Sequence, residues 1–281
     1  MLITKEKILP VRDRTSDFCV LVSSSDQTKD VFDITFQNAR TVWRACDWPR
    51  YVGFTTQHSD IHGFRALAAN SITGWRGELG DQLDHLPNDI RYVLLILDDF
   101  LFLSNVDGLK LDAVADHIRR HDLANVRMIP VKRNIAGRLM EAVRKKIDTG
   151  PFRPLALSEP YYSSLNAAIW KRGYLRSLLR NPGSIWDFEH IVGTERHYAV
   201  WYPALNYRPL VGEGKWLPQT PELLAQQGLS LSDSARQSHG KISRLRRIRQ
   251  KIVFNTIGYL SFRVRRRLKR IWAAAVPSGP S

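Results

Sequence analysis

Several kinds of segment are missing from this sequence, and each absence narrows what it can be. No window approaches the roughly 20 consecutive apolar residues that a bilayer-spanning helix needs. The start, MLITKEKILPVRDR, has mixed charge and lacks the apolar core of a secretion signal. The expected location is therefore the cytoplasm. Cysteine is scarce: Cys19 lies in an apolar run, Cys46 is the second, and nothing nearby has metal-ligand spacing. That argues against a disulfide framework and against zinc. Neither GxGxxG nor GxxxxGK[ST] occurs, so a dinucleotide site or a P-loop would lack its phosphate cradle. A GxSxG elbow is missing too, which disfavours Ser-His-Asp hydrolase chemistry.

Acidic residues are almost absent from one region. From residue 231 onward thirteen Lys and Arg face a single acid, Asp233, so this end carries +12 of the net +15 and residues 1–230 keep only +3. The basic charge belongs to a tail. Within it Ile242, Leu245, Ile248, Ile252, Ile257, Leu260, Val264, Leu268 and Ile271 recur mostly every three or four residues. That spacing predicts an amphipathic helix, whole or broken, with arginines around an apolar stripe. Its central VFNTIGYLSF is too short to cross a bilayer, so residues 241–271 are expected to lie on an anionic membrane surface or to dock on a partner.

The body of the chain, 281 residues less this tail and a short lead-in at 1–15, reads as one domain over 16–230. Residues 17–25 (DFCVLVSSS) form an apolar run ending in small polar residues, and 26–43 a loop and then a helix. A second strand is expected at 51–56, interrupted helix over 62–86, and a third strand ending at Asp98-Asp99. Helix over 106–120, strands at 125–131 and 161–170, and helix over 171–179 follow. Strands alternating with helices predict an α/β fold with helices on both faces of the sheet.

The stretch RYVLLILDDFLF, residues 91–102, poses the functional question, because six apolar or aromatic residues run directly into two carboxylates. In open α/β sheets the ligand crevice lies beyond the carboxyl ends of the strands. That rule puts Ser23, Ser24, Ser25 and Asp26 on the same rim as Asp98 and Asp99. Adjacent ionised carboxylates repel unless a cation compensates, and Mg²⁺ or Mn²⁺ favours one or two carboxylates completed by phosphate oxygens and water. The pair alone equally fits a strand end whose acids cap the next helix or face water.

CVLVSSSD, LLILDDF, SSLNAAIWKRGYLRSLL and NPGSIWDFEH, taken together, resemble bacterial GT-A-fold glycosyltransferases of surface-polysaccharide (capsule or O-antigen type) biosynthesis, over about residues 16–217. The resemblance implies a GT-A-like, Rossmann-related mixed sheet. It also implies transfer of a sugar from a nucleotide-diphosphate donor to a glycan acceptor hydroxyl, the acceptor being lipid-linked in such pathways. The family's DxD is not literally present. In the frame Leu97-Asp98-Asp99, Asp99 falls where the acid coordinates a divalent cation and Asp98 where donor ribose or sugar is contacted; in the frame Asp98-Asp99-Phe100 the third acid is missing. The resemblance further implies a base for an inverting transfer at Glu189, with Asp187 second; first-turn helix capping is the ordinary role of acids so placed. Asp60 is expected at the nucleobase and Lys215, in a loop 212–216, at the diphosphate. Trp170 and Trp186 flank the Asp187 segment, Trp170 as core.

Two other classes remain compatible with these residues. One is a nucleic-acid-binding protein or nuclease using Asp98 and Asp99 with two metals, against which the near-neutral body stands. The other is a non-catalytic, membrane-associated partner of polysaccharide assembly. His58, Asp60 and His62 alternate along one segment, but nothing else nearby completes a metal site.

Overall fold

The computed structural model describes residues 17–69, 74–130, 152–157, 159, 161–181, 183–231 and 236–238, so the basic stretch at 241–271 lies outside the described residues. The chain opens with strand β1 (Phe18–Ser23), a short 3₁₀ turn (Asp26–Thr28) and helices α1 (Lys29–Phe36) and α2 (Ala39–Val42). Then come β2 (Arg50–Phe54), β3 (Arg65–Ala68), α3 (Trp75–Asp84), β4 (Tyr92–Leu97), β5 (Phe100–Phe102), α4 (Gly108–His121) and β6 (Asn125–Arg127). The remainder holds β7 (Phe152–Pro154), β8 (Ala168–Lys171), α5 (Arg172–Leu179), α6 (Ile185–Phe188), β9 (His197–Val200), β10 (Tyr207–Pro209), β11 (Val211–Gly212), β12 (Lys215–Trp216) and α7 (Thr220–Ala225).

Eight strands form one sheet in the order β3-β2-β1-β4-β8-β6-β9-β7. β3, β2, β1 and β4 are mutually parallel, whereas β8 runs antiparallel to both β4 and β6. All six residues of β1 are buried, as a strand covered on both faces requires. Phe18, Val20 and Val22 pack with Phe32 and Phe36 of α1 and Leu111, Ala115 and Ile118 of α4. Cys19 and Leu21 turn the other way, towards Leu79 and Leu83 of α3 and Leu175 and Leu178 of α5. β4 repeats the alternation, with Tyr92, Leu94 and Ile96 on the first face and Val93 and Leu95 on the second. Each such side chain contributes roughly 1.5–3 kcal/mol on leaving water, so the sheet is held from two sides while both cysteines remain free. The result is a mixed α/β sheet with helices on both faces.

A smaller cluster lies on the outer side of α1: Val31 and Ile34 pack with Leu101 of β5, Leu210, Trp216 and Leu224. It fixes β5, its antiparallel partner β10, and the β11–β12 hairpin against the main body. No helix among the described residues is long and apolar enough to cross a membrane.

Three expectations need correction. Residues 62–86 are not interrupted helix: β3 occupies Arg65–Ala68 and pairs in parallel with β2, and helix begins only at Trp75. The strand expected over 161–170 is confined to Ala168–Lys171, because Tyr161 adopts a positive φ of 55° and the segment from Ser163 to Leu165 bonds to Ile191 and Glu189. The segment 212–216 is no open loop but a tight hairpin, whose turn residues Glu213 and Gly214 have φ of 48° and 75°, the left-handed pair that suits strand twist.

Candidate active site

β1 has β2 on one side and β4 on the other, so the strand order reverses between β1 and β4. Ligand crevices of open α/β sheets form at such a reversal, outside the carboxyl ends of the strands. Ser23 pairs with Leu97 at that end. The next residues on each chain are therefore neighbours, and Ser24 Oγ donates to Asp98 Oδ2 at 2.8 Å. Asp98 and Asp99 form the entire link between β4 and β5. Both are half-buried.

This setting changes their chemistry. Burial pushes the Asp98 carboxyl up to about 6, although hydrogen bonds from Thr28 and Ser24 and the charge of Arg236 favour its ionised form. Burial and the adjacent Asp98 push Asp99 up to about 7, opposed by the Val211 amide, which donates to Oδ2 at 3.3 Å. Without a cation the pair therefore retains part of a proton near neutrality. Leu210 N also donates to the Asp99 carbonyl at 2.9 Å, tying the acid pair to the strand that leads into the hairpin.

The other rim residues have defined partners. Ser23 Oγ accepts the Trp75 indole N–H at 2.9 Å, which joins α3 to the end of β1. Ser25 caps the 3₁₀ turn, with Ser25 N donating to Thr28 Oγ1 at 3.2 Å. Asp26 accepts from Thr55 N, Thr56 N, Thr56 Oγ1 and His58 Nε2 at 3.2, 3.3, 2.7 and 3.0 Å. Its burial opposes ionisation, yet the Thr56 and His58 bonds outweigh this and hold it below the usual carboxylate range. Asp26 thus locks the loop after β1 to the loop after β2.

Asp60 is placed elsewhere. Its Oδ1 accepts from Ala66 N at 3.2 Å, near the start of β3, at the opposite end of the parallel strands from Asp98. His58 faces Asp26 and His62 lies 3.7 Å from Asp33, so these three alternating residues do not converge. Lys215 is exposed on the hairpin, opposite Gly212.

Asp187 and Glu189 differ sharply. Asp187 Oδ2 accepts from Ser184 N and Ser184 Oγ at 3.0 and 2.8 Å, and Ser184 Oγ accepts in return from Asp187 N, making a capping box at α6. Glu189 is half-buried, and its Oε1 accepts from Leu165 N at 3.0 Å and Ser164 Oγ at 3.5 Å. Since Ala168 pairs with Leu95 on antiparallel β4, the register continued backwards brings residues 165 and 164 past Leu97, the carboxyl end of β4. The Leu165 bond therefore ties Glu189 to the segment that leads into β8, the neighbour of β4 in the sheet. Burial raises its pKa, against the opposing effects of Leu165 N, Arg127 and Ser164. Arg76 is buried and donates to the carbonyls of Asn181 and Ser184, clamping the loop before α6. Trp170 is core, whereas Trp186 is 68% exposed.

Several rim residues gave no local signal in the sequence. Tyr207 stacks on Phe100 with ring centroids 4.3 Å apart and donates nothing to the acids, but its hydroxyl accepts from Ala167 N at 3.0 Å, joining β5 to the segment under Glu189. Glu78 accepts from Thr55 Oγ1 at 3.5 Å, and burial with nearby Asp26 raises its pKa. Arg236 donates to both Asp30 oxygens, at 3.2 and 2.8 Å, and to the Gly214 and Gln27 carbonyls, strapping the hairpin to the 3₁₀ turn beside Asp98.

No protein-family model matches the chain, and no curated protein matches it in sequence. Among solved structures it is similar to the crystal structure of S. aureus TarS 1-349, with a TM-score of 0.40 and 11% identity over 68% of this chain. The match spans 59% of that chain, less than two thirds of its length.

Proposed function

We propose that this protein is a nucleotide-sugar-dependent glycosyltransferase that moves a sugar from a nucleotide-diphosphate donor to a glycan acceptor hydroxyl. The observation that carries this reading is the two-residue acid turn at the strand-order reversal, where Ser24 Oγ fixes Asp98 and Asp99 sits beside it. The sequence resemblance supports the same reading.

The donor set fits a divalent cation of the Mg²⁺ or Mn²⁺ type. Among the described residues no group of three or more His, Cys, Asp or Glu could form a closed metal cage. Two half-buried carboxylates instead leave positions for phosphate oxygens and water, the arrangement such cations favour. Asp99 would hold the cation and Asp98 would orient the donor. When bound, the cation would stabilise negative charge on the departing nucleoside diphosphate.

The chain's own residues supply the rest. Ser24 and Thr28 orient Asp98, while the Asp26 bonds shape the wall towards β2. Glu189 would take the proton of the acceptor hydroxyl in an inverting transfer; its raised pKa strengthens it as a base, and the Leu165 amide fixes one oxygen while leaving the other for the acceptor. Asp187 would set the start of α6 through its capping box. Lys215, on a hairpin anchored by Asp99 and Arg236, would approach the diphosphate. Residues 241–271, with twelve Lys and Arg beside an apolar stripe, would hold the protein at an anionic membrane face where a lipid-linked acceptor is presented.

The direct test is turnover: incubation with a panel of nucleotide sugars, Mn²⁺ and a glycan acceptor should release nucleoside diphosphate, and the Asp99→Asn protein should not. Equal release by folded Asp99→Asn would overturn the proposal.

A further inference from the structure

At the end of the sheet opposite the acid pair, a cleft of about 370 Å³ lies between the start of β2, the start of β3 and the chain that follows α2. Its lining includes Arg44, Arg50 and Arg65, with Asp47 as the one acid. Trp43 and Trp48, both buried, form part of the wall. Arg40 joins the group: a Cβ placed on Gly63 would lie 3.7 Å from Arg40 Nε and 3.9 Å from Arg50 Nη2, so two like-charged side chains converge on one point. Gly63 itself has φ of 85°, so a side chain there would be strained and would fill the gap between the arginines.

Elsewhere on this protein several arginines pair with acids: Arg119 with Asp17, Arg176 with Asp84, Arg236 with Asp30. In the cleft they do not. Among the described residues no carboxylate forms an ion pair with Arg40, Arg44, Arg50 or Arg65. Arg50 Nη1 donates to the Trp43 carbonyl at 3.3 Å, so it is held in place by a neutral partner. Arginines thus outnumber the single lining acid, Asp47; guanidiniums gathered in excess repel one another, and an anion among them would relieve that cost.

We propose that this cleft is a binding site for a phosphate-bearing ligand, separate from the acid-pair rim. Guanidinium groups present planar, bidentate donor forks that match phosphate oxygens, and the volume falls within the range of small-ligand sites. The phosphate could belong to a free phosphate ester or to a phospholipid headgroup.

The test uses the full chain with EDTA present, so that the acid-pair rim holds no cation. Pyrophosphate is titrated calorimetrically, and vesicles of phosphatidylcholine with phosphatidic acid are assayed by co-sedimentation. Arg44→Ala/Arg65→Ala is compared with Arg265→Ala/Arg266→Ala, which removes the same charge from the tail; Arg44→Lys/Arg65→Lys keeps the charge and loses the fork. Thermal melts establish that each variant is folded. Saturable pyrophosphate binding weakened about tenfold or more by the cleft pair, incompletely restored by lysine and unaffected by the tail pair, supports a free phosphate ligand. The same pattern in vesicle binding alone supports a headgroup. If the cleft and tail pairs have equal effects in both assays, or neither probe binds, the site does not exist.

Discussion

Glu189 accepts the Leu165 amide at 3.0 Å, and Leu165 lies three residues before β8, the strand that pairs antiparallel with β4. That bond ties the Glu189 carboxylate to the segment that leads into the neighbour of β4, the strand that ends before Asp98 and Asp99. Glu189→Gln retains an oxygen for the Leu165 amide and removes basicity. Donor binding should persist while transfer falls by about 100- to 10,000-fold, read as Kd against single-turnover rate. A product that retains the donor's anomeric configuration would contradict the base assignment.

Asp99→Asn should lower turnover by about 100-fold or more. It should also reveal the cost of the buried charge. Asp99 is raised to about 7 in the folded protein, above its unfolded value, so ionising it opposes folding and stability falls as pH rises from about 4 through about 7. In the absence of metal, Asn at this position should therefore stabilise the fold at pH 8 and keep only the smaller part of that advantage at pH 5. Urea midpoints at the two pH values provide the check.

His197 has the opposite linkage. It is wholly buried, with Nδ1 at 2.9 Å from the Tyr162 carbonyl and Nε2 at 2.9 Å from the Tyr174 hydroxyl. Burial is the main reason its pKa drops to about 4. The unfolded chain takes up this proton first, so stability should be lost as pH falls from about 6.5 towards 4. Tyr174→Phe removes the Nε2 partner and should cost about 1–3 kcal/mol at neutral pH by leaving a buried acceptor unsatisfied.

The tail prediction depends on where the chain is cut. Arg236 holds Asp30 and Gly214, and Trp216 N bonds to the Gln237 carbonyl, so a cut before 236 would loosen the hairpin. Removing residues 241–281 should leave transfer to a soluble acceptor largely intact and abolish salt-sensitive binding to anionic vesicles. Unchanged co-sedimentation of the shortened chain would point to another membrane contact.

The strands buried on both faces were readable in the sequence because such burial imposes unbroken apolar runs, as in FCVLVS and YVLLIL. The shared rim of Ser24 and Asp98 followed from strand direction alone. β3 was not readable: RALA is four residues long, partly exposed and at the sheet edge, so neither periodicity nor burial marks it. The hairpin left only a faint trace, Glu213-Gly214 between two-residue strands. Arg236 and Tyr207 reach the rim through contacts far along the chain, which no local pattern encodes. Asp60 was misplaced because the crossover after β2 returns to the other end of the sheet before β3 begins.

The most direct measurement is calorimetric titration of a panel of nucleoside diphosphates into wild-type and Asp99→Asn protein, with and without Mn²⁺. The account predicts that one nucleoside diphosphate binds with one-to-one stoichiometry only when Mn²⁺ is present, and that Asp99→Asn abolishes this Mn²⁺-dependent binding while the protein remains folded. Binding that ignores both Mn²⁺ and Asp99, or no binding by any nucleotide, would contradict it.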